Sequence, residues 1–436
     1  MNSNEKYQAN PVQWRIHETG MLTGFSEDRW IMFAQFLMLL NLVAMTRAFA
    51  LVSLIEFFLW CVFLFYSPLR AAFLEVLSDI RVKLVFAFWG WIAIATLWSP
   101  VDYELRFEEV WSWRKLLLFP MAWVLFKELR LKRIAILTLV VTASVYMVFS
   151  WGGYLGYVAL DRPPEHLLEN YATQGVFFAS ASLLMLIMLK SEELSVWMKA
   201  VFCLLIVGMV TNIIYVLTGR TAYVALLLLA PYGALLAAPR FKWLLAAIAL
   251  VGISLALYNS ETAKSRIAQG LNEFDAAISG KQERHTSMGI RWVFWKNTVR
   301  MIAINPILGS GSGGFSADYA KIVSGDEGWS AIVTDDPHQQ YLQIAGEQGL
   351  IGLGLFLAIL AAMLLSRGDD TNRLCAIGIL IMTALNGTFN GHFGSFVEGR
   401  LFWSMSGVLL CSTIPMRTLK DLCVSIELLL LRRRHS

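Results

Sequence analysis

Residues 335–343 read Asp-Asp-Pro-His-Gln-Gln-Tyr-Leu-Gln, and they stand where a long polar segment gives way to a hydrophobic span. Asp336 is suited to cap a helix, because its carboxylate can accept hydrogen bonds from the unpaired N–H groups of the first turn. Pro337 suits the first helical position, where a missing N–H costs nothing. Gln339 completes a pattern similar to a capping box. This stretch therefore predicts a helix that begins at Pro337 and runs into an apolar span.

His338 would then lie in the first turn of that helix, near the positive end of the helix dipole. At such a position the neutral imidazole is favoured over the imidazolium. A neutral imidazole can accept a proton, so His338 is a candidate general base. Taken alone, the stretch is equally consistent with a second interpretation, in which His338 is only a polar residue at the start of a helix.

The composition indicates a polytopic membrane protein. The 436 residues are 57% hydrophobic and 16% charged, whereas soluble proteins carry about 25% charged residues. The five cysteines lie in apolar spans or in the basic C-terminal tail, so no disulfide framework is indicated. The polar N-terminal residues lead into a span that we expect to be retained rather than cleaved as a signal peptide.

Apolar runs long enough to cross a bilayer recur along the chain and predict an all-α protein of about twelve transmembrane helices. The shortest of these spans is interrupted by Pro120. The predicted spans cover residues 31–46, 49–66, 83–99, 115–127, 133–150, 172–190, 197–217, 221–238, 241–258, 348–366, 372–389 and 400–415.

The distribution of basic residues predicts the topology. Outside a long polar segment, most of the 36 Lys and Arg residues fall on the side that holds both termini. The positive-inside rule therefore predicts cytoplasmic termini and an outer position for the long segment. Three parts follow: N-terminal membrane helices over residues 1–258, an outer loop with helices of its own over 259–347, and further membrane helices with a cytoplasmic tail over 348–436. The end of the tail, residues 426–434, suits either an amphipathic helix on the inner leaflet or a frayed end.

The outer loop contains one clear helical pattern, from Ser287 to Ala303. Asn305 and Pro306 end that helix. Residues 309–314, Gly-Ser-Gly-Ser-Gly-Gly, then predict a tight turn, with an anion-binding nest as the weaker alternative. The helical spacing comes from four apolar residues: Trp292, Trp295, Val299 and Ile302.

Arginines on the predicted outer side are the more informative signal. Arg220 stands between two spans, where a charge tends to mark function, although a lone arginine also reaches the headgroups simply as an anchor. Arg291 lies among aromatic residues of the outer-loop helix, and Arg114 with Lys115 begins the short fourth span. Guanidinium groups suit a diphosphate, and a base beside a cationic clamp is the equipment for glycosyl transfer from a lipid diphosphate. Outside the cytoplasm no nucleotide supply exists, so a lipid-linked donor is the natural one.

Other kinds of site leave no pattern in the sequence. There is no HExxH helix, CxxC pair, EF-hand loop or phosphate-binding loop, and the six histidines are scattered. We therefore expect no metal, no cofactor and no nucleic-acid partner.

Three stretches resemble the O-antigen ligase and O-antigen polymerase family of bacterial inner-membrane proteins. Residues 218–223, Thr-Gly-Arg-Thr-Ala-Tyr, are similar to the family's segment at a helix start, with Gly219 where serine is usual. Arg291-Trp292 and the later Asn305-Pro306-Ile307-Leu308-Gly309-Ser310-Gly311 resemble a second family pattern. His338-Gln339-Gln340-Tyr341-Leu342, followed by Glu347-Gln348-Gly349, resembles the third, with Gln339 where asparagine is usual.

The resemblance implies a glycosyltransferase of the GT-C type in the inner membrane of a Gram-negative bacterium. Such a ligase moves O-antigen polysaccharide from undecaprenyl diphosphate onto lipid A–core at the periplasmic face, with inversion and without a metal. On this sequence His338 would activate the acceptor hydroxyl, and Arg220 and Arg291 would hold the diphosphate. Further candidate site residues are Arg114, Lys115, Trp295, Gln339 and Tyr341.

Related functions stay open at this point. An O-antigen polymerase uses the same donor and extends another lipid-linked chain. A protein O-oligosaccharyltransferase is a more distant alternative, because such enzymes tend to carry a larger C-terminal portion. A transporter for a lipid-linked glycan would be expected to show internal repeats and charges near the membrane midplane, whereas the charged residues here cluster at the predicted outer boundary.

Overall fold

The computed structural model describes residues 28–189, 194–237, 241–278, 286–368 and 371–418, together with 421, 424 and 425. The described part of the chain is helical, and its one β feature is an isolated bridge between Arg367 and Ile414. The predicted all-α class is therefore confirmed for these residues. The amphipathic end predicted for the tail, 426–434, lies outside the described residues.

Seventeen α-helices follow one another in the described residues. They are α1 (Arg29–Ala44), α2 (Phe49–Phe65), α3 (Ser67–Val76), α4 (Ile80–Ala95), α5 (Tyr103–Ser112), α6 (Leu118–Leu125), α7 (Leu129–Tyr154), α8 (Tyr171–Met188), α9 (Val196–Tyr215), α10 (Arg220–Ala237), α11 (Lys242–Asn259), α12 (Glu261–Ile278), α13 (Ser287–Ile304), α14 (Phe315–Ile322), α15 (Gln340–Leu364), α16 (Thr371–Asn386) and α17 (Val397–Leu410). Short 3₁₀ helices cover Trp113–Leu117, Pro164–His166 and Gly328–Ala331.

Each predicted span overlaps one of these helices. Among the residues described, α7, α9, α11 and α15 are long and apolar enough to cross a membrane singly. Helices α2 and α3 are bent by 93° at the break between them and together form a fifth candidate span. The chain is thus a multi-pass membrane protein, while the count of about twelve spans stays a prediction.

The segment that was predicted to lie outside the membrane has a small hydrophobic core of its own. Helix α13 spans Ser287–Ile304, so the predicted helix is confirmed to within one residue, and Asn305 is its C-cap. The predicted apolar stripe is wrong, because Trp292 and Val299 are exposed. The opposite face of α13 is buried instead, since α14 packs against it. This core consists of Phe294, Met301, Phe315, Tyr319 and Val323.

The turn at residues 309–314 packs against a break in α15. Gly349 has φ 66° and ψ −176°, so the helix is interrupted at that residue. Ser310 N and Gly311 N each donate, at 2.9 Å, to a carbonyl just before the break. The remaining N–H groups of the turn also donate to partners within the chain. The turn is therefore structural as predicted, and its alternative interpretation as an anion-binding nest is wrong.

A buried ion cluster joins α2, α17 and the 3₁₀ helix before α6. Glu56 accepts from Arg400 Nε at 2.5 Å and Nη2 at 3.2 Å, and Arg114 Nε lies 3.0 Å from the same carboxylate. Lys115, the next residue, donates to two carbonyls in the loop between α16 and α17. This cluster therefore fixes the loop of residues 387–396, which we call the α16–α17 loop.

The break in α15 should tolerate no side chain at its centre. Gly349→Ala would place a Cβ 2.0 Å from the carbonyl oxygen of Ile307 in a left-handed conformation that L residues avoid. We expect a destabilisation of at least about 1–3 kcal/mol, measured as a lower Tm of the purified protein in detergent. Gly354→Ala in the same helix is the control, because its Cβ would meet nothing within 4 Å. Equal Tm values for the two variants would contradict the role given to the break.

Removal of Glu56 should be costly, because it leaves Arg114 and Arg400 buried without their carboxylate. We expect Glu56→Ala to destabilise the protein by about 3–5 kcal/mol, again measured by thermal unfolding in detergent. Arg47→Ala is the matched control, since the side chains of Arg47 and its partner Asp161 are 44% and 74% exposed and such pairs contribute about 1 kcal/mol or less. A Tm of Glu56→Ala no lower than that of the control would rule out the cluster as an anchor.

Candidate functional site

A cleft rich in arginine lies where five separate parts of the chain meet. Its cavity volume is about 90 Å³, and it opens to solvent. Its lining comes from the starts of α8 and α10, from α12 and α13, and from the α16–α17 loop. Among the described residues that line it there are three arginines and no carboxylate. We call it the arginine cleft, and it is lined by Tyr171, Thr218, Arg220, Thr221, Arg266, Gln269, Ser287, Arg291 and Asn390.

Arg220 is the first residue of α10 and is held in place by α12. Its Nε donates to the carbonyl oxygen of Arg266 at 3.1 Å, and its Nη1 lies 3.0 Å from Glu273 Oε2. Glu273 is buried and also accepts from Met288 N at 3.2 Å. The carboxylate thus fixes one edge of the guanidinium, while Arg220 still lines the cleft.

The other two arginines interact with neutral amides. Arg266 Nη1 donates to Gln269 Oε1 at 3.2 Å, and Arg291 Nη2 lies 3.4 Å from Asn390 Oδ1. Burial lowers the pKa of Arg291, and the nearby charge of Arg220 lowers it further. A guanidinium nevertheless stays charged at neutral pH. The cleft is therefore a concentration of positive charge that an anion would relieve.

Two glycines allow the helices around Arg220 to approach closely. A Cβ on Gly270 of α12 would lie 3.0 Å from Arg220 Nε. A Cβ on Gly219 would lie 2.6 Å from the ring of Tyr171, which packs into that space and lines the cleft. The departure from the family pattern at residue 219 thus has a local explanation, because serine there would displace the tyrosine.

His338 stands just outside α15 and is paired with Asp336. Its main-chain φ is 54°, an uncommon left-handed conformation for a residue other than glycine. Asp336 Oδ1 accepts from His338 N at 2.6 Å, and Asp336 Oδ2 lies 3.3 Å from His338 Nδ1. With Nδ1–H directed at the carboxylate, the free lone pair of the imidazole is on Nε2. The side chain of His338 is 43% exposed and so is accessible to a substrate.

The predicted start of α15 is wrong by three residues. The helix begins at Gln340, and Gln339 is its N-cap, with a side-chain oxygen that accepts from Leu342 N. Pro337 and His338 lie before the helix, and the carboxylate of Asp336 is used by His338 rather than by the first turn. The charge next to the imidazole is therefore that of Asp336, in addition to the helix dipole on which the prediction rested.

Three of the weaker candidates support the turn that carries His338. Trp295 Nε1 donates to the carbonyl oxygen of Pro337 at 2.9 Å. The side-chain oxygen of Gln339 is occupied by the helix cap, and the hydroxyl of Tyr341 donates to the carbonyl oxygen of Ala384 at 2.6 Å. These side chains position the segment and are not among the residues that line the cleft.

Arg114 and Lys115 do not belong to the cleft either. Both side chains are buried, Arg114 against Glu56 and Lys115 against carbonyls of the α16–α17 loop. They were predicted to lie at the outer end of a span, but in the structure Arg114 is part of the buried ion cluster and Lys115 is buried beside it. They act on the site only through the loop that they support.

His338 and the arginine cleft are neighbours, because α13 and the α16–α17 loop contact both. Arg291 lines the cleft, and one turn further along α13 the ring of Phe294 lies 6.4 Å from that of His338. Asn390 contacts Arg291, and a Cβ on the adjacent Gly391 would lie 3.9 Å from Asp336 Oδ2. A molecule with its anionic group in the cleft could thus present an adjoining atom to the imidazole.

Sequence reasoning missed Arg266, Asn390 and the pairing of Asp336 with His338. Arg266 lies in a helix with charges along its length, so its sequence context resembles that of a solvated surface. Asn390 lies in a loop between two predicted spans and carries no motif. In the described residues, no group of three or more His, Cys, Asp or Glu side chains is placed to hold a metal ion.

The comparison with known families covers the part of the chain in which the three motifs lie. A sequence profile of the O-antigen ligase family matches residues 204–357. An uncharacterized protein of Haemophilus influenzae is similar to this chain, with 30% identity over 108 residues. That similarity covers 23% of this chain and 27% of the relative. The profile match covers about a third of the chain and includes Arg220, Arg266, Arg291 and His338, so this part of the chain is similar to the O-antigen ligase family.

Proposed function

We propose that this protein is an O-antigen ligase of the inner membrane of a Gram-negative bacterium. It transfers polysaccharide from undecaprenyl diphosphate to lipid A–core in lipopolysaccharide biosynthesis. The transfer is of the inverting type and needs no metal or other cofactor. The site faces the periplasm and both termini face the cytoplasm. This orientation agrees with the excess of basic residues on the side of the membrane that holds the termini.

The observation that carries the proposal is the arrangement of three arginines beside an imidazole with a free Nε2. Guanidinium groups bind diphosphate oxygens in pairs, so Arg220, Arg266 and Arg291 can hold both phosphate groups of a lipid diphosphate. The apolar helices around the cleft suit the lipid tail of such a donor. The similarity of residues 204–357 to the O-antigen ligase family also supports this chemistry.

The reaction is a single displacement at the anomeric carbon of the donor sugar. The acceptor hydroxyl oxygen forms a bond to that carbon while the bond from the carbon to the diphosphate oxygen breaks. The hydroxyl proton passes to His338 Nε2, and the bonding electron pair leaves on the diphosphate. Arg220, Arg266 and Arg291 stabilise the charge that develops there. Attack from the side opposite the leaving group inverts the anomeric centre.

Loss of the imidazole should remove the base and leave the binding site intact. We expect His338→Ala to lower the rate of glycan transfer by about 10²- to 10⁴-fold. The assay uses purified protein in detergent, undecaprenyl-diphosphate glycan and lipid A–core, with a chelator and without ATP. An unchanged Tm of the variant is the control for folding.

The products of that assay separate the candidate functions. Glycan on lipid A–core with the wild type, and only a trace with His338→Ala, is the expected result. Longer donor chains over bare lipid A–core would identify a polymerase instead. Full transfer by His338→Ala would refute the general-base mechanism.

The arginine cleft should be specific for guanidinium geometry. We expect Arg220→Lys and Arg266→Lys each to lower kcat by on the order of 10²-fold, because an ammonium cannot donate to two phosphate oxygens as a planar fork does. Inorganic pyrophosphate should inhibit the wild type competitively with the donor and inhibit these variants more weakly.

Arg300→Lys is the matched control for the cleft. Arg300 lies on α13 like Arg291, but its side chain is 51% exposed and faces Asp326 at 3.9 Å. Its replacement should leave transfer and pyrophosphate inhibition unchanged. Wild-type activity in Arg220→Lys would reduce Arg220 to a membrane anchor.

A further inference from the structure

Asp336 contacts His338 at two points. One carboxylate oxygen accepts from the main-chain N–H of His338 at 2.6 Å, and the other lies 3.3 Å from Nδ1 of the ring. The first contact stabilises the left-handed backbone at φ 54°, which an isolated histidine would disfavour. The second directs Nδ1 inward and so sets which nitrogen faces the open side. A single carboxylate therefore determines both the backbone and the ring orientation of His338.

The turn that holds Asp336 is itself fixed from both sides. Thr334 Oγ1 donates to the carbonyl oxygen of Asp336 at 2.8 Å and accepts from its N–H at 3.1 Å. On the other side, Trp295 Nε1 donates to the carbonyl oxygen of Pro337. The α16–α17 loop packs close to Asp336, since a Cβ on Gly391 would lie 3.9 Å from Asp336 Oδ2. The carboxylate is thus preorganised before any substrate binds.

The charge of Asp336 is well matched to this task. Partial burial by itself would raise the pKa of Asp336, but the hydrogen bonds and charge of His338 and the charge of Arg291 outweigh it and hold that pKa below its ordinary value. The group is then a carboxylate at neutral pH, which can accept but not donate. The proton shared by the pair is therefore on Nδ1, and Nε2 is the nitrogen able to take a proton from a hydroxyl.

We propose that Asp336 is the positioning residue for the proposed base: it holds His338 in the tautomer with a free Nε2 and stabilises the imidazolium that forms during transfer. This inference rests on the proposed function. As the acceptor oxygen attacks, its proton moves to Nε2 and the ring becomes cationic while Nδ1–H stays on the carboxylate. The proton is later released to water at the exposed face of His338.

The neighbouring residue supplies a matched control. Asp335 is exposed, and its replacement by asparagine removes the same charge one residue away. The test compares Asp336→Asn, Asp336→Glu and Asp335→Asn with the wild type in the transfer assay. We expect Asp336→Asn to lower kcat by about 10²- to 10⁴-fold, since an amide can donate to Nδ1 and thereby favour the wrong tautomer. KM for the donor should change less than about threefold, because that change leaves the arginines in place. Asp336→Glu should recover part of the lost rate, and Asp335→Asn should behave like the wild type.

A double variant separates positioning from a general structural effect. His338→Ala/Asp336→Asn should be no slower than His338→Ala alone, because the carboxylate acts only through the imidazole. Independent losses in the double variant would overturn the inference. So would an unchanged kcat in Asp336→Asn, or a loss confined to KM, which would assign Asp336 to the arginine cleft instead.

The tautomer itself provides a readout that needs no activity. In protein labelled with ¹⁵N-histidine, the ring signals of His338 are those that disappear in His338→Ala. Neutral His338 should carry its proton on Nδ1 in the wild type and in Asp335→Asn, and should move it to Nε2 in Asp336→Asn. An Nε2–H tautomer in the wild type would refute the inference whether or not transfer is observed. Absence of any transfer by the wild type would count against the proposed function alone.

Discussion

Three guanidinium groups share one cleft, and this concentration of like charge is the constraint around which the site is built. Arg220 is held by the buried Glu273, whereas the side chains of Arg266 and Arg291 have amide oxygens as partners. Repulsion among the three is strongest where water is scarce, so a bound anion with several oxygens would stabilise the arrangement. The close approach depends on small residues, because a side chain at Gly270 or Gly219 would collide with the groups that now surround Arg220.

The imidazole is placed next to this charge by elements that also shape the cleft. Helix α13 carries Arg291 on one turn and Phe294 and Trp295 on the next, so it contacts the anion site and the His338 turn together. The α16–α17 loop does the same from the opposite direction, and it is supported by the ion cluster of Glu56, Arg114 and Arg400 and by Lys115. Buried charges in a membrane protein are costly unless they are paired. Here the paired charges and Lys115 hold the α16–α17 loop in its position at the site.

Much of this fold could be predicted from the sequence, because apolar length and helical spacing are local signals. Each predicted span falls on a helix, and α13 is placed to within one residue. The packed face of α13 could not be predicted, since it depends on α14 covering Phe294 and Met301. The start of α15 was also ambiguous. Asp336 can cap a helix or accept from His338, and only the tertiary position of the turn selects the second.

The candidate site was predictable to the extent that it follows motifs. His338, Arg220 and Arg291 stand within recognisable segments, and the structure brings the two arginines into one cleft beside the histidine. Arg266 and Asn390 reach the cleft only because α12 and the α16–α17 loop fold over it, and neither has a pattern of its own. Arg114 and Lys115 were predicted to be site residues because they stand at the start of a predicted span. In the structure Arg114 pairs with the buried carboxylate of Glu56, and Lys115 donates to carbonyls of the α16–α17 loop.

The most direct test is a cryo-electron microscopy structure of the protein in lipid nanodiscs with undecaprenyl diphosphate bound. The diphosphate oxygens should lie within hydrogen-bond distance of Arg220, Arg266 and Arg291, with the lipid tail along the apolar helices. His338 Nε2 should face the side from which the acceptor hydroxyl attacks, opposite the diphosphate leaving group. Diphosphate density bound elsewhere, with the arginine cleft empty, would contradict the assignment of this cleft as the donor site.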